Sequence, residues 1–214
     1  MGRAIAIEKL TMHALKQDFP LKRTDDPDFF FEWQTSLPEL SEFEEARLAH
    51  IRAIYKNFEE RSVLESTVSL TVVSPLLDTA GLFLAPFYIE TEKSVEVVSR
   101  DGKVTIRGRL DIAIIRDLIW ILTIESKKAG FSLIVGIPQV LAYMLAAPAP
   151  QKQLYGMVTN GRNFIFIKLD RTSEREPTYA QSKEFILSQD DDLEQILKII
   201  KRLADIAAAQ PEKS

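Results

Sequence analysis

The spacing of hydrophobic positions changes period along the chain, and each change marks an element. After residue 41, Leu48, Ile51, Ile54, Tyr55 and Phe58 recur at helical spacing. Ser41-Glu-Phe-Glu44 fits a capping box that satisfies free amides of the first turn, with Ser36-Leu-Pro-Glu39 as a second candidate start. Leu64, Val68, Val72 and Leu76 then repeat every four residues. This predicts a helix over 63–80 in spite of its β-branched residues, bent or interrupted at Pro75 and ended by Gly81. From Leu82 the pattern turns to strands, over 82–89 and 94–100, with a tight turn at Asp101-Gly102. Strands over 103–115 and 119–126 follow. Pro138 suits the first position of a helix running to about residue 147. Strands over 155–159 and 163–169 flank Asn160-Gly161, the strongest short hairpin signal in the chain. The stretch 178–187 is an edge strand or a covering loop. Asp190-Asp-Asp192 opens a last helix, whose apolar stripe is Leu193, Ile196, Ile200, Leu203 and Ala207.

The first 35 residues carry weaker signals. The stretch 4–15 fits strand or helix. Phe29-Phe-Phe-Glu-Trp33 is assigned to core packing, with a stacking platform for bases as the alternative. With no internal repeat and no linker, the organisation expected is an N-terminal helical extension, 1–60, packed on a core domain, 61–214.

Composition narrows the classes. The chain has 214 residues, 46% of them apolar and 27% charged, which suits a soluble globular domain. Its net charge of −4 excludes a globally basic nucleic-acid binder, so any phosphate-binding surface is local. Absence of cysteine excludes disulfides and thiolate metal sites and fits a reducing cytoplasm. Two histidines leave no histidine-rich metal site. No apolar run reaches membrane-spanning length, and the N-terminus lacks the run of a signal peptide, so the expectation is a cytoplasmic protein with no membrane partner.

The unusual chemistry lies in 105–128. Two long apolar strands with a reversal near Arg116-Asp117 carry Asp111, Glu125 and Lys127 toward one end. Alternation puts Glu125 and Lys127 on one face. A two-residue loop would pair Asp111 with Leu122, on the face away from Glu125. A three-residue loop over 116–118 would pair Asp111 with Thr123 and make Asp111 and Glu125 diagonal neighbours. The three-residue register, or a bulge of the same effect, is the one expected. Two carboxylates so placed repel unless a cation intervenes, and an oxygen-only ligand set suits Mg²⁺ or Mn²⁺. A lysine two residues from such a ligand is placed to polarise an attacking water or to stabilise charge on phosphorus. A plain salt bridge between strand-end residues is the competing account. Arg100, Lys103, Arg107, Arg109, Lys127 and Lys128 form a local basic patch around these groups. Simple neutralisation of Asp111 and Glu125 by Arg107 and Arg109 is the alternative.

In order, Glu65, Asp111, Glu125-Ser-Lys127 and Gln139-Val-Leu-Ala-Tyr143 resemble the motifs of the PD-(D/E)XK nuclease superfamily, in its branch with a QxxxY motif. RecB-type nucleases and the nuclease domain of type I restriction motor subunits belong to that branch. The helix from Glu65 through Ser74-Pro-Leu-Leu to Gly81, the strands with Gly108-Arg-Leu-Asp111 and Ile124-Glu-Ser-Lys-Lys128, and the hairpin Val158-Thr-Asn-Gly-Arg-Asn-Phe164 carry the likeness over 61–169. Leu110 stands where the motif's proline would be, no motor domain is present, and 1–60 has no counterpart. The resemblance implies an α/β, restriction-endonuclease-like fold, a mixed sheet with helices on both faces, and a magnesium-dependent deoxyribonuclease. It implies Asp111 and Glu125 as metal ligands, Lys127 at the water or transition state and Glu65 as a further carboxylate. Gln139 and Tyr143 would brace the site or touch the nucleic-acid backbone, with Arg107, Arg109 and Lys128 as further contacts. DNA is the partner implied, with a second copy or separate motor and specificity subunits as further partners.

Overall fold

The computed structural model describes residues 3–58, 65–99, 104–115, 119–123, 132–147, 152–172 and 176–209. Within these, the side chains of 3, 65–66, 90–93, 95, 109–115 and 119–123 are not described. The architecture is mixed α/β, built on one eight-stranded sheet.

The sheet is assembled around β4, Val104–Ile115. On one edge β4 pairs antiparallel with β3, Tyr88–Val98. On its other edge it pairs twice, with β1, Arg3–Ala6, in parallel and further along with β5, Ile119–Thr123, antiparallel. The sheet then continues through β6, Gln153–Thr159, β7, Asn163–Asp170, and β8, Thr178–Ile186, to β2, Lys22–Arg23. Successive residues 154–159 and 164–169 are buried without alternation, so both faces of the sheet are covered there.

One helical layer holds α1, Met12–Asp18, and α5, Ile137–Ala146, with α5 packed on β3, β5 and β6. The other holds α2, Glu42–Phe58, the run 65–79, and α6, Asp192–Ala208. The expected capping box starts α2: the Ser41 N–H donates to Glu44 Oε2 at 2.7 Å and the Glu44 N–H to Ser41 Oγ at 3.3 Å. Hydrogen bonds from Lys201 and Ser41 outweigh the burial that pushes the Glu44 carboxyl up, and they hold it below the usual carboxylate range. All five residues of the α6 stripe are buried.

Pro75 does not interrupt its helix. The chain runs from α3, Glu65–Val68, through a π-helical turn, Ser69–Val73, into α4, Ser74–Thr79. The Ser74 N–H reaches back five residues to the Ser69 carbonyl, which widens the helix just ahead of the proline ring and its missing N–H. Gly81, at φ +79°, closes it.

One expectation is corrected. The segment 82–89 is not a strand: Leu82 is buried, but 83–86 turn at the surface and β3 begins only at Tyr88. The run Phe83-Leu-Ala-Pro is apolar yet exposed, which hydrophobic patterning cannot tell from a buried strand. The expected helical extension, 1–60, carries α1 and α2, but it also contributes β1 and β2 to the same sheet.

Candidate functional site

Two close approaches gather the elements that carry the site residues. At the end of β6, Thr159 Oγ1 donates to the Asn163 carbonyl and accepts the Gly161 N–H, both at 2.8 Å. Asn160 Oδ1 accepts from the Asn163 and Arg162 N–H groups at 2.8 and 3.1 Å. These bonds fix a turn in which Gly161 sits at φ +78°, as the Asn-Gly pair predicted. A Cβ on Gly161 would lie 1.8 Å from Val68 Cγ1. The first turn of α3, which begins at Glu65, therefore lies directly on this hairpin. Gly108 makes the second approach: a Cβ there would lie 2.0 Å from Ile7 Cγ2 and 3.1 Å from the Tyr143 hydroxyl. That contact seats α5 on β4, three residues before Asp111.

β5 joins them. Its last residue, Thr123, pairs with Thr159 beside the same turn. The end of β5 at Thr123 thus lies beside the turn on which α3 rests. Glu65 opens the helix that rests on this turn, Asp111 lies on β4 next to the last described pair with β5, and Gln139 is half-buried on the first turn of α5.

The register between the two central strands differs from the expectation. Ile112 pairs with Ile121, Ala113 with Trp120 and Ile114 with Ile119. One further step sets Asp111 opposite Leu122, the two-residue-loop register, and not opposite Thr123. Continued without irregularity, Glu125 falls at a position of the opposite parity to Asp111, hence on the other face. The sequence Arg116-Asp-Leu118 has no glycine or asparagine to signal a longer loop, in keeping with the register of the described pairs. Glu125, Lys127 and Lys128 lie outside the described residues, as do the side chains of Glu65, Asp111 and Arg109.

Arg107 is exposed and forms a cross-strand ion pair with Glu96 at 2.6 Å, on directly paired residues of β3 and β4. Exposed pairs of this kind contribute about 0–1 kcal/mol, so a phosphate can compete for the guanidinium. The alternative in which Arg107 and Arg109 neutralise Asp111 and Glu125 involves side chains outside the described residues. Tyr143 is fully buried. Contact of its ring with a nucleic-acid backbone is corrected to packing, because its hydroxyl faces the Gly108 groove of β4. Among the described residues no three or more metal-ligating side chains are grouped.

A second polar cluster was missed by the sequence reading. Glu32 and Lys168 are each 4% exposed. Glu32 Oε1 accepts from the Lys168 ammonium and from the Tyr155 hydroxyl, the latter at 2.9 Å. The ammonium lies 5.4, 5.5 and 6.0 Å from the ring centres of Phe29, Phe31 and Tyr155. Burial, and then the Glu32 charge, push the Tyr155 phenol far up. The signal available in the sequence was one charge inside each of two apolar runs, Phe29-Phe-Phe-Glu-Trp33 and Asn163-Phe-Ile-Phe-Ile-Lys168.

No protein-family model matches the chain, and no curated protein matches its sequence. Among the described residues, no helix is long and apolar enough to cross a membrane.

Proposed function

We propose that the protein is a metal-dependent nuclease of restriction-endonuclease-like fold that hydrolyses phosphodiester bonds in DNA. One observation carries the reading: α3, which begins at Glu65, rests on the 160–162 turn through the Val68–Gly161 contact, and β5, which pairs with the strand of Asp111, ends beside that turn at Thr123. A carboxylate donor set at this corner suits a hard divalent ion, Mg²⁺ or Mn²⁺. Asp111 and Glu125 would hold the ion, provided that one extra residue after Thr123 turns Glu125 to the face of Asp111. When bound, it supplies neutralisation of phosphate charge and a more acidic water. Lys127 orients that water or meets the charge developing on phosphorus, and Glu65 adds a carboxylate from α3. Gln139, half-buried on a helix that is otherwise almost wholly apolar, braces the strands from α5. Arg107, Arg109 and Lys128 bind the DNA backbone, Arg107 by exchanging Glu96 for phosphate. A cytoplasmic location, and assembly with a second copy or with separate motor and specificity subunits, belong to the same proposal.

The β4–β5 register favours a second reading. If the strand continues without a bulge, the two carboxylates stay on opposite faces and the fold is a silent module that binds nucleic acid or a partner protein. Incubation of plasmid and single-stranded DNA with Mg²⁺ or Mn²⁺ decides between them. Cleavage by the wild type that is lost in Asp111→Asn and in Lys127→Met is the result expected. Cleavage that survives both substitutions would refute the site, and binding without cleavage or Mn²⁺-dependent stabilisation would select the silent module.

A further inference from the structure

We propose that residues 3–58 form a clamp that grips the sheet and both helical layers, and that the buried Glu32–Lys168–Tyr155 cluster is the latch that keeps it shut. The clamp rests on packing alone; only its consequence for catalysis rests on the nuclease reading.

The grip starts at β1, whose residues 3–6 pair with 104–107 of β4, and at Ile7, which fills the groove over Gly108. α1 then packs on α5, while Lys16 stands 5.7 Å over the Tyr179 ring of β8. After the strap 19–41 crosses, α2 packs on α4 and α6. Arg47 meets Asp78 of α4 at 3.4 Å, and Arg52 makes two bonds of 2.5 and 2.6 Å to Glu194 of α6. Elements that carry or support Glu65, Asp111 and Gln139 are thus each touched by this one segment.

The strap itself is thinly held. Its only strand among the described residues is β2, two residues long, and 25–28 are exposed. Anchorage falls on the buried Phe19, Leu21, Phe30 and Glu32, and on half-buried Trp33, edge-on to Phe185 at 5.9 Å between ring centres. Glu32 is the weak point of that anchorage, because its Oε2 is buried with no hydrogen-bond partner among the described residues. Docking the strap removes two charges from water and satisfies only one lobe of the carboxylate; undocking returns both charges to solvent. The strap therefore opens as a local unit, below the threshold of global unfolding. Opening frees α1 and α2 to lift from α5 and α4, which loosens the elements that hold the site.

Hydrogen exchange read by mass spectrometry on the full chain tests this without reference to activity. In Lys168→Met, strap amides such as Gln34 and Thr35 exchange about tenfold faster or more. Those of α4 and α5 follow, while amides of β6 and β7 keep wild-type protection. Glu32→Leu/Lys168→Met, which leaves no unpaired charge, returns the strap to within about threefold of wild type. The proposal is overturned if Lys168→Met leaves the strap unchanged or unfolds β6 and β7 with it. It is equally overturned if α4 and α5 keep wild-type rates while the strap opens, or if the double substitution fails to restore protection.

Discussion

Substituting Gly161 by alanine probes the contact on which the candidate site depends. The glycine sits at φ +78°, where an L-residue costs about 1–2 kcal/mol. The stiffer unfolded chain returns about 0.4–1 kcal/mol. The new methyl would stand 1.8 Å from Val68 Cγ1 and 3.2 Å from its Cβ, which is overpacking worth about 1–3 kcal/mol. Together these give a loss of about 1–4.6 kcal/mol. At the centre of that range, the melting temperature falls by roughly 5–10 °C for a chain of this size. Urea denaturation followed by circular dichroism supplies the number. Val68→Ala separates the two contributions. Alone it costs about 1.6 kcal/mol for two lost methyls, plus a cavity. Combined with Gly161→Ala it removes the clash but not the φ penalty. The double variant should therefore be more stable than the sum of the singles by about 1–3 kcal/mol. Additivity within about 0.5 kcal/mol would show that α3 does not rest on the hairpin, and the convergence argued for the site would fail with it.

Three further outcomes are expected. Hydrogen bonds from Arg52 hold the Glu194 carboxyl below the usual range, so its contribution is present above its ordinary value of 4.5 and is lost as pH falls through the lower folded value. Arg52→Met should flatten that part of the acid limb of stability, measured as urea midpoints between neutral and acid pH; an unchanged limb would show that the pair does not couple to folding. Arg171→Met deletes bonds of 3.3 and 2.8 Å to the Leu145 and Ala147 carbonyls at the end of α5, and should cost about 1–3 kcal/mol in thermal melts, against no change if solvent replaces them. Deleting residues 1–10 exposes the edge of β4 from Val104 to Arg107 and should drive self-association in size-exclusion chromatography; a monodisperse, fully folded product would show that β1 is dispensable.

Local signals made much of the fold legible. The Ser41–Glu44 box, the Asn160-Gly161 turn and the α6 stripe each lie within a few residues of sequence, and each has the predicted form. What escaped was nonlocal. β1 and β2 are short and pair in parallel with residues far along the chain, so nothing in their own composition marks them. The three-residue register between β4 and β5 followed from the expected meeting of Asp111 and Glu125 and not from turn chemistry, and the described pairs take the two-residue register. For the site, the order of motifs could be read, and the structure adds the Gly108 and Gly161 contacts that gather their elements. Glu32 and Lys168 went unseen because a buried pair is a relation between two runs, each of which looks unremarkable by itself.

The pairing of β1 with β4 also has a bearing on synthesis. Residues 3–6 leave the ribosome about a hundred residues ahead of their partners at 104–107. At ~5–20 residues per second that is a wait of roughly 5–20 s. Throughout it Ile7, Leu10 and Leu15, all buried in the finished protein, have no sheet to cover them. The nascent chain must carry this apolar segment open until the central strand arrives, so a stretch made well before β4 is among the last to be folded.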